Sequence, residues 1–265
     1  MEKHAVEVEG LTHRYRECCA VDHIFFHIRA GTTFGLIGPN GAGKSTTIKM
    51  LTTLLPVTSG NAHVAGHSLV DEPEAVRACI GYVPQLVSAD GDLTAYENLA
   101  LSAALYGIPA RERESRIHEV LTFMELDEVA HRLINDFSGG MIRRLEIAQA
   151  LLHRPRVLFL DEPTVGLDPA ARKGLWTYIQ GLQKLYAITI LMTTHDMEEA
   201  DRLCDVVALM HAGHIVVMDT PARLKRELGP RATLDDVFIV HTGNSLKESG
   251  DYGHVQQARN TLSKR

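Results

Sequence analysis

The chain has 265 residues, with 27 Lys+Arg against 33 Asp+Glu for a formal charge of −6, and 45% hydrophobic and 23% charged residues. Its length exceeds the usual ~100–200-residue domain, which admits one large α/β domain or a core with a smaller subdomain and excludes disordered, collagen-like and coiled-coil chains on composition. The acidic balance is not the overall basic footprint of non-specific binding to nucleic acid or anionic lipid.

The opening Met1-Glu2-Lys3-His4 starts no apolar leader, so a cytoplasmic location is expected. Cys18, Cys19, Cys79 and Cys204 lack the C-x-x-C spacing of a zinc or redox site and are too few for a disulfide framework, as in a reducing compartment. The longest uncharged helix-like stretch, Asn98–Ala110, carries Asn, Ser, Gly and Pro and falls well short of the roughly 20 apolar residues of a membrane span. Any membrane role is expected to be peripheral.

The first third reads as strands. Ala5–Val8 alternates, Ile24–Ile28 is dense in β-branched and aromatic residues, and Thr33–Ile37 is an apolar run ending at glycine, followed by a helical run over Thr46–Leu55. Thr94-Ala95-Tyr96-Glu97 is a capping box, in which the hydroxyl and the carboxylate each satisfy a free backbone N–H, and it predicts a helix to about Tyr106. Gly107 and Pro109 end that helix, and Ile117, Val120, Leu121 and Met124 at i, i+3, i+4 and i+7 predict an amphipathic one. From Leu86 to Phe137 the chain thus reads as an all-helical insert.

Strand–helix alternation resumes with a helix from about Gly140 to His153 stopped by Pro155, the strand Val157–Leu160, a helix from Pro169 to about Lys184 and the strand Ile188–Met192. This βαβ order predicts a parallel sheet. Val206–Met210 and Ile215–Met218 flank Ala212-Gly213-His214 as an edge hairpin, a short helix follows Pro221, and Ser245–Arg265 reads as a mobile polar tail.

Gly38-Pro39-Asn40-Gly41-Ala42-Gly43-Lys44-Ser45 is a P-loop, G-x-x-x-x-G-K-[ST], and it stands after a strand and before the helical run that starts at Thr46. Its glycines let backbone N–H groups wrap a phosphate chain, Lys44 reaches the outer phosphates, and the Ser45 hydroxyl suits Mg²⁺. Val157–Leu160 ends in Asp161-Glu162, which places two carboxylates at the edge of the sheet where α/β proteins bind ligands. Alone this is a solvated acidic strand end. With the P-loop upstream, Asp161 suits the Mg²⁺ shell and Glu162 suits orienting or deprotonating a water for attack on the γ-phosphate. Ser138-Gly139-Gly140 begins a helix and forms an anion-ready N-terminus; by itself it is equally an ordinary serine N-cap.

The order P-loop, Gln85, Ser-Gly-Gly, Asp161-Glu162, Gly166-Leu167-Asp168 and His195 resembles that of ATP-binding cassette ATPases, from about Ala5 to Leu228. The signature segment here is Phe137-Ser138-Gly139-Gly140-Met141, where the family pattern has Leu first and Gln last, so that any contact made by that Gln is absent. The string from Ser138 to Glu146, with Thr233-Leu234-Asp235-Asp236-Val237-Phe238, is similar to the daunorubicin-resistance branch of drug exporters. The resemblance implies a P-loop NTPase fold of α/β class, with a mixed sheet, a β-rich N-terminal part and an inserted helical subdomain. The implied divisions are a core of 1–85 and 139–228, the helical subdomain 86–138, an extension 229–244 and the tail 245–265.

It further implies that Tyr15 stacks on adenine, that Gln85 joins Ser45 and Asp161 at Mg²⁺ and links it to the helical insert, and that His195 contacts the γ-phosphate. In such a site Ser138, Gly139, Gly140 and Asp168 complete ATP binding across a head-to-tail pair of cassettes. The expected function is ATP hydrolysis powering a drug or multidrug exporter through separate permease subunits, at the inner face of the cell membrane, by a dimer with no nucleic-acid partner. The alternative is a soluble cassette ATPase acting on DNA or ribosomes. One cassette, no paired cysteines, a short insert and the acidic balance weigh against it.

Overall fold

In a computed structural model describing residues 4–243, the apolar runs of the sequence form two sheets and the helices that cover them. Asn244 and the segment 245–265 lie outside the described residues. The first sheet is antiparallel. It starts with a long hairpin of β1 (His4–Tyr15) and β2 (Cys18–Arg29) and adds β4 (Ser59–Val64) and β5 (His67–Ser68) in the order β2-β1-β4-β5. On β2 the alternation is plain: Ile24, Phe26 and Ile28 are buried while Phe25, His27 and Arg29 are exposed, the pattern of a sheet with one wet face.

The second sheet is built on β3 (Thr33–Ile37), β6 (Ile80–Val83), β7 (Val157–Asp161), β8 (Thr189–Thr194), β9 (Val206–His211) and β10 (His214–Asp219), ordered β10-β9-β3-β8-β7-β6. The pairs from β9 to β6 are parallel and β10 adds antiparallel at the edge, giving the expected mixed sheet and edge hairpin. Strands β3, β7 and β8 are buried along their whole length, as their unbroken apolar character requires.

One face packs on the antiparallel sheet and on α1 (Lys44–Leu51), joining Phe34, Leu36, Phe159 and Leu191 to Val6, Phe26 and Ile48 in one cluster. The other face carries Leu158, Leu160, Ile190 and Met192 and is covered by helices. These include α3 (Ala95–Leu105), α4 (Ala110–Phe123), α5 (Gly139–Leu151) and α6 (Pro169–Tyr186). The capping box forms as expected: Thr94 Oγ1 accepts from Glu97 N and the Glu97 carboxylate accepts from Thr94 N at 2.8 Å. Ile117, Val120, Leu121 and Met124 all turn inward. Two 3-10 turns, Asp127–Val129 and Ile134–Asp136, lead from α4 to α5.

The helical run after the P-loop is shorter than the sequence pattern suggested. It stops at Leu51 because the Thr52 hydroxyl bonds back to Ile48 O and Thr53 adopts φ +61°, turning the chain out of the helix. The fold also holds elements that periodicity does not mark: β4, β5, β6, α2 (Pro73–Cys79), α7 (Met197–Leu203) and α9 (Leu234–Thr242), the last beside α8 (Pro221–Leu228). Among the described residues no helix is long and apolar enough to cross a membrane.

α7 buries a carboxylic acid. Glu199 has no exposed surface and accepts a hydrogen bond from Trp176 Nε1 of α6 at 3.0 Å. Burial pushes its carboxyl above the ordinary 4.5, partly opposed by the nearby Thr194 and Thr164 hydroxyls and the Trp176 N–H. The folded state therefore binds this proton more tightly than the unfolded chain, so the stability it contributes is present below 4.5 and is lost as pH rises through the raised value. Glu199→Gln keeps an acceptor for Trp176 and cannot ionise. Its melting temperature relative to the parent should climb as pH rises from about 4 to about 8, and a difference that stays flat would contradict the burial argument.

Candidate functional site

The P-loop residues 38–45 join β3 to α1, and two of its glycines are required by close approach. A Cβ on Gly43, at φ +107°, would stand 2.4 Å from Ala20 O; one on Gly38, at φ +156°, would stand 2.1 Å from Met210 O. Gly43 is also the N-cap of α1, and no side chain caps that helix. The first-turn amides of α1 are thus not taken by a cap, unlike those of α3, α5 and α6, and the dipole adds partial positive charge there. Ala42 is buried, its N–H bonded to Pro39 O at 3.2 Å, which tightens the loop.

Three parallel strand ends bring the polar groups together. Lys44 Nζ donates to Gly38 O at 2.9 Å and Pro39 O at 3.1 Å and lies 3.2 Å from Glu162 Oε1. Asp161 Oδ1, at the end of β7, accepts from Ser45 Oγ at 2.9 Å and from Thr193 Oγ1 of β8 at 2.6 Å. Its charge, together with burial, pushes the Tyr82 phenol on β6 up to about 12, burial being the larger cause. Glu162 then leaves the strand at φ +49°, its N–H held by Thr193 O and Oγ1. That left-handed turn, of order 1–3 kcal/mol in strain, sends the second carboxylate away from Asp161 and toward Lys44 and His195.

His195 Nδ1 lies 2.8 Å from Glu162 Oε2. An ionised carboxylate has no proton to give, so Nδ1–H is the donor and Nε2 is left for the cleft. An open cavity of about 400 Å³ lies over these groups, lined by Asn40, Gly41, Gly43, Lys44, Ser45, Thr46, Gln85, Glu162 and Ala20. A second opening, on the His195 side, shares Asn40 and adds Pro39, Arg172, Asp196 and Asp235. Ser45 and Gln85 line this cavity and the Asp161 carboxylate stands behind the Ser45 hydroxyl at 2.9 Å, a set of hard oxygen donors that fits magnesium held by one carboxylate and by substrate phosphates.

The remaining expected site residues stand apart from this cavity. Ser138 caps α5, its Oγ accepting from Met141 N at 3.3 Å, and a Cβ at Gly139 or Gly140 would meet Leu167 or Ala171. Asp168 caps α6, accepting from Ala170 N and Ala171 N. Tyr15 is 45% exposed at the β1–β2 turn, with its ring edge-on to His13 at 4.4 Å, on the hairpin that also carries Ala20. Sequence reasoning missed Thr193, whose hydroxyl serves both Asp161 and the Glu162 amide. The polar end Thr193-Thr194 of an otherwise apolar strand was the available signal.

Residues 21–165 match the family described as ABC transporter. The chain is 41% identical over 225 residues to the daunorubicin/doxorubicin resistance ATP-binding protein DrrA of Streptomyces peucetius, covering 85% of this chain and 68% of that one. Among solved structures, an ATP-binding subunit of an ABC transporter superposes with a TM-score of 0.79 at 33% identity, over 90% of this chain and 99% of that chain. The ATP-binding cassette MJ0796, solved as a dimer in a post-hydrolysis state with ADP and Pi, gives 0.72 at 26% identity, over 81% and 98%. With its P-loop cradle, level strand ends and paired carboxylates, the chain belongs to the ATP-binding cassette family, as an ATP-hydrolysing subunit of an ABC transporter.

Proposed function

We propose that this chain powers a drug or multidrug exporter, pairing with a second, identical cassette at the inner face of the cell membrane and driving permease subunits that carry the pathway. The observation that carries the hydrolytic part of this reading is the meeting of Lys44, Ser45, Asp161, Glu162 and His195 in one cleft. The exporter part is supported by likeness to a daunorubicin/doxorubicin resistance protein.

In this reading Tyr15 stacks on adenine, the loop from Gly38 to Gly43 wraps the phosphates, and the N–H groups of Asn40, Gly41, Gly43 and Thr46 hold them together with Lys44. Ser45, Asp161 and Gln85 are the magnesium donors; the ion, when bound, supplies positive charge against the phosphate oxygens. Glu162 accepts a proton from the attacking water, with His195 holding one of its oxygens while the other, which rests on Lys44 until phosphate takes its place there, is released to the water. His195, with Ser138 of the partner subunit, stabilises charge on the transferring phosphoryl group. The partner's segment 138–140 and Asp168 complete the nucleotide site from the other side of the dimer. The core 1–85 and 139–228 does the chemistry, and the helical subdomain 86–138 meets the permease, presenting Leu86, Leu101 and Leu105, all at least half exposed.

These roles separate in measurement. Lys44→Ala should weaken ATP binding about tenfold or more, because it removes the cation facing the phosphates. Glu162→Gln should spare binding and lower kcat roughly 10²-fold; equal loss of affinity in both would refute the division. Polar substitutions at Leu86, Leu101 and Leu105 should leave nucleotide binding intact while uncoupling ATPase activity from transport in vesicles, and unchanged coupling would move the contact elsewhere.

The dimeric site has its own test. Lys44→Ala in one chain and Ser138→Arg in another should each give inactive homodimers. In the mixed dimer one site joins the intact P-loop of the second chain to the intact signature of the first, so ATPase activity, or ATP-dependent dimerisation in a hydrolysis-slowed background, should return. If both readouts stay at the level of the separate variants while mixed dimers assemble, the head-to-tail arrangement is wrong for this chain.

A further inference from the structure

Gln85 enters the cleft on a loop that is gripped by α5 from below. Arg143, in the second turn of α5, donates from Nη1 to Pro84 O at 2.7 Å and from Nη2 to Gln85 O at 2.9 Å. The same Nη1 reaches Glu146 Oε2 at 2.9 Å, one turn further along the helix. The other oxygen of Glu146 accepts from the backbone N–H and the hydroxyl of Ser88. The pair thus holds the chain on both sides of Leu86 and Val87, whose side chains are exposed.

Both charges are buried, with Arg143 5% and Glu146 3% exposed. A buried ion pair is not needed for stability, since apolar side chains of similar volume do as well or better. What this pair supplies is geometry: a planar guanidinium holds two successive carbonyls and the Glu146 carboxylate in one rigid fork, where a lysine would offer a single mobile ammonium on a flexible stem. The helix that carries it has little freedom against β6, because a Cβ at Gly81 would come within 2.5 Å of Ala150 O.

We propose that Arg143 and Glu146 are positioning residues of ATP hydrolysis, which act by clamping the backbone around Gln85 so that the Gln85 side chain and helix α5 move as one body. The proposal rests on the reading of Gln85 as a donor in the magnesium and water environment. Since the N-terminus of α5 is the Ser138-Gly139-Gly140 segment, the clamp ties the part of the chain that meets the partner's nucleotide to the part that completes this chain's own cleft.

The test compares full-length chains carrying Gln85→Ala, the paired change Arg143→Met with Glu146→Leu, all three together, and Arg143→Lys. The readouts are melting temperature, affinity for ATP without magnesium, and kcat and KM for magnesium ATP. The paired apolar variant should keep the fold and magnesium-free ATP affinity while kcat falls about tenfold or more. Gln85→Ala should lower kcat as well, and adding it to the paired change should cause no further loss, because both act through one side chain. Should the paired variant fail to fold, Arg143→Lys keeps the charge but replaces the rigid fork with a mobile ammonium, and it should show the same lowered kcat with unchanged magnesium-free affinity.

Normal kcat in folded clamp variants, alongside a slowed Gln85→Ala, overturns the clamp and leaves the reading of Gln85 standing. So does a triple variant whose loss is the product of the separate losses. Normal kcat in Gln85→Ala overturns the reading of Gln85 itself and the proposal with it.

Discussion

The cleft depends on one constraint, the level parallel register of β3, β8 and β7. Ile37 pairs with Thr194 and Asp161 pairs with Thr193, so the P-loop, Asp161-Glu162 and His195 all leave the sheet at one height. Because side chains alternate with period two, a one-residue slip of β8 would turn Thr193 to the opposite face. Its hydroxyl would leave Asp161 Oδ1 and the Glu162 amide together, and the left-handed turn at Glu162 would lose its anchor. Strands buried on both faces cannot set register by hydrophobic alternation. Close packing does so instead: a Cβ at Gly35 would fall 2.6 Å from Cys204 Sγ, so the chain leaving α7 fits against β3 in one position.

The two faces of this sheet have different tasks. The antiparallel sheet and α1 form a dense cluster beneath the P-loop, where Ile48, Met50 and Leu51 have no exposed surface. That packing fixes the axis of α1, and with it the direction in which its unfilled first-turn amides point. On the opposite face, α3 and α4 share a continuous core with Leu158, Ile190 and α5. The helical segment is therefore joined to the site through α5 and the loop at Gln85, where the contacts are charge-assisted and buried.

How far the sequence discloses this molecule depends on where each element gets its stability. β3, β7 and β8 are legible because an unbroken apolar run is stable only when covered on both sides. α3 is legible through its capping box, and α4 through Ile117, Val120 and Leu121. β4 is not: Ser59-Gly60-Asn61 has low strand propensity, and its order comes from pairing with β1, from Thr12 with Ser59 to Val6 with Val64, far away along the chain. β6, of four residues, and α7, of seven, are too short to show a period. α9 does carry a start signal, Thr233 with Asp236 as a capping box ahead of Val237 and Phe238, but aspartate stands where the usual box has Glu or Gln, and the sequence reading passes over it. In the site, the P-loop, Asp161, Glu162 and His195 are readable from order along the chain. Arg143 and Glu146 are not, because their partners are backbone groups some 58 positions away, and a backbone carbonyl leaves no mark in sequence.

Two buried ion pairs among the described residues show how one chain uses opposite properties of its cations. Lys44 and Glu162 are about as buried as Arg143 and Glu146, yet they face an open cavity. Lysine there presents a compact charge on a flexible stem, with donors already directed at Gly38 O and Pro39 O, and an incoming phosphate can take the place held by Glu162 without disturbing either carbonyl. Arginine at 143 commits a rigid fork to three acceptors that belong to the protein. Exchanging the two would put a planar group where a partner must change and a mobile one where a loop must stay. The choice of cation at each position thus follows from whether its anion or carbonyl partner is meant to leave.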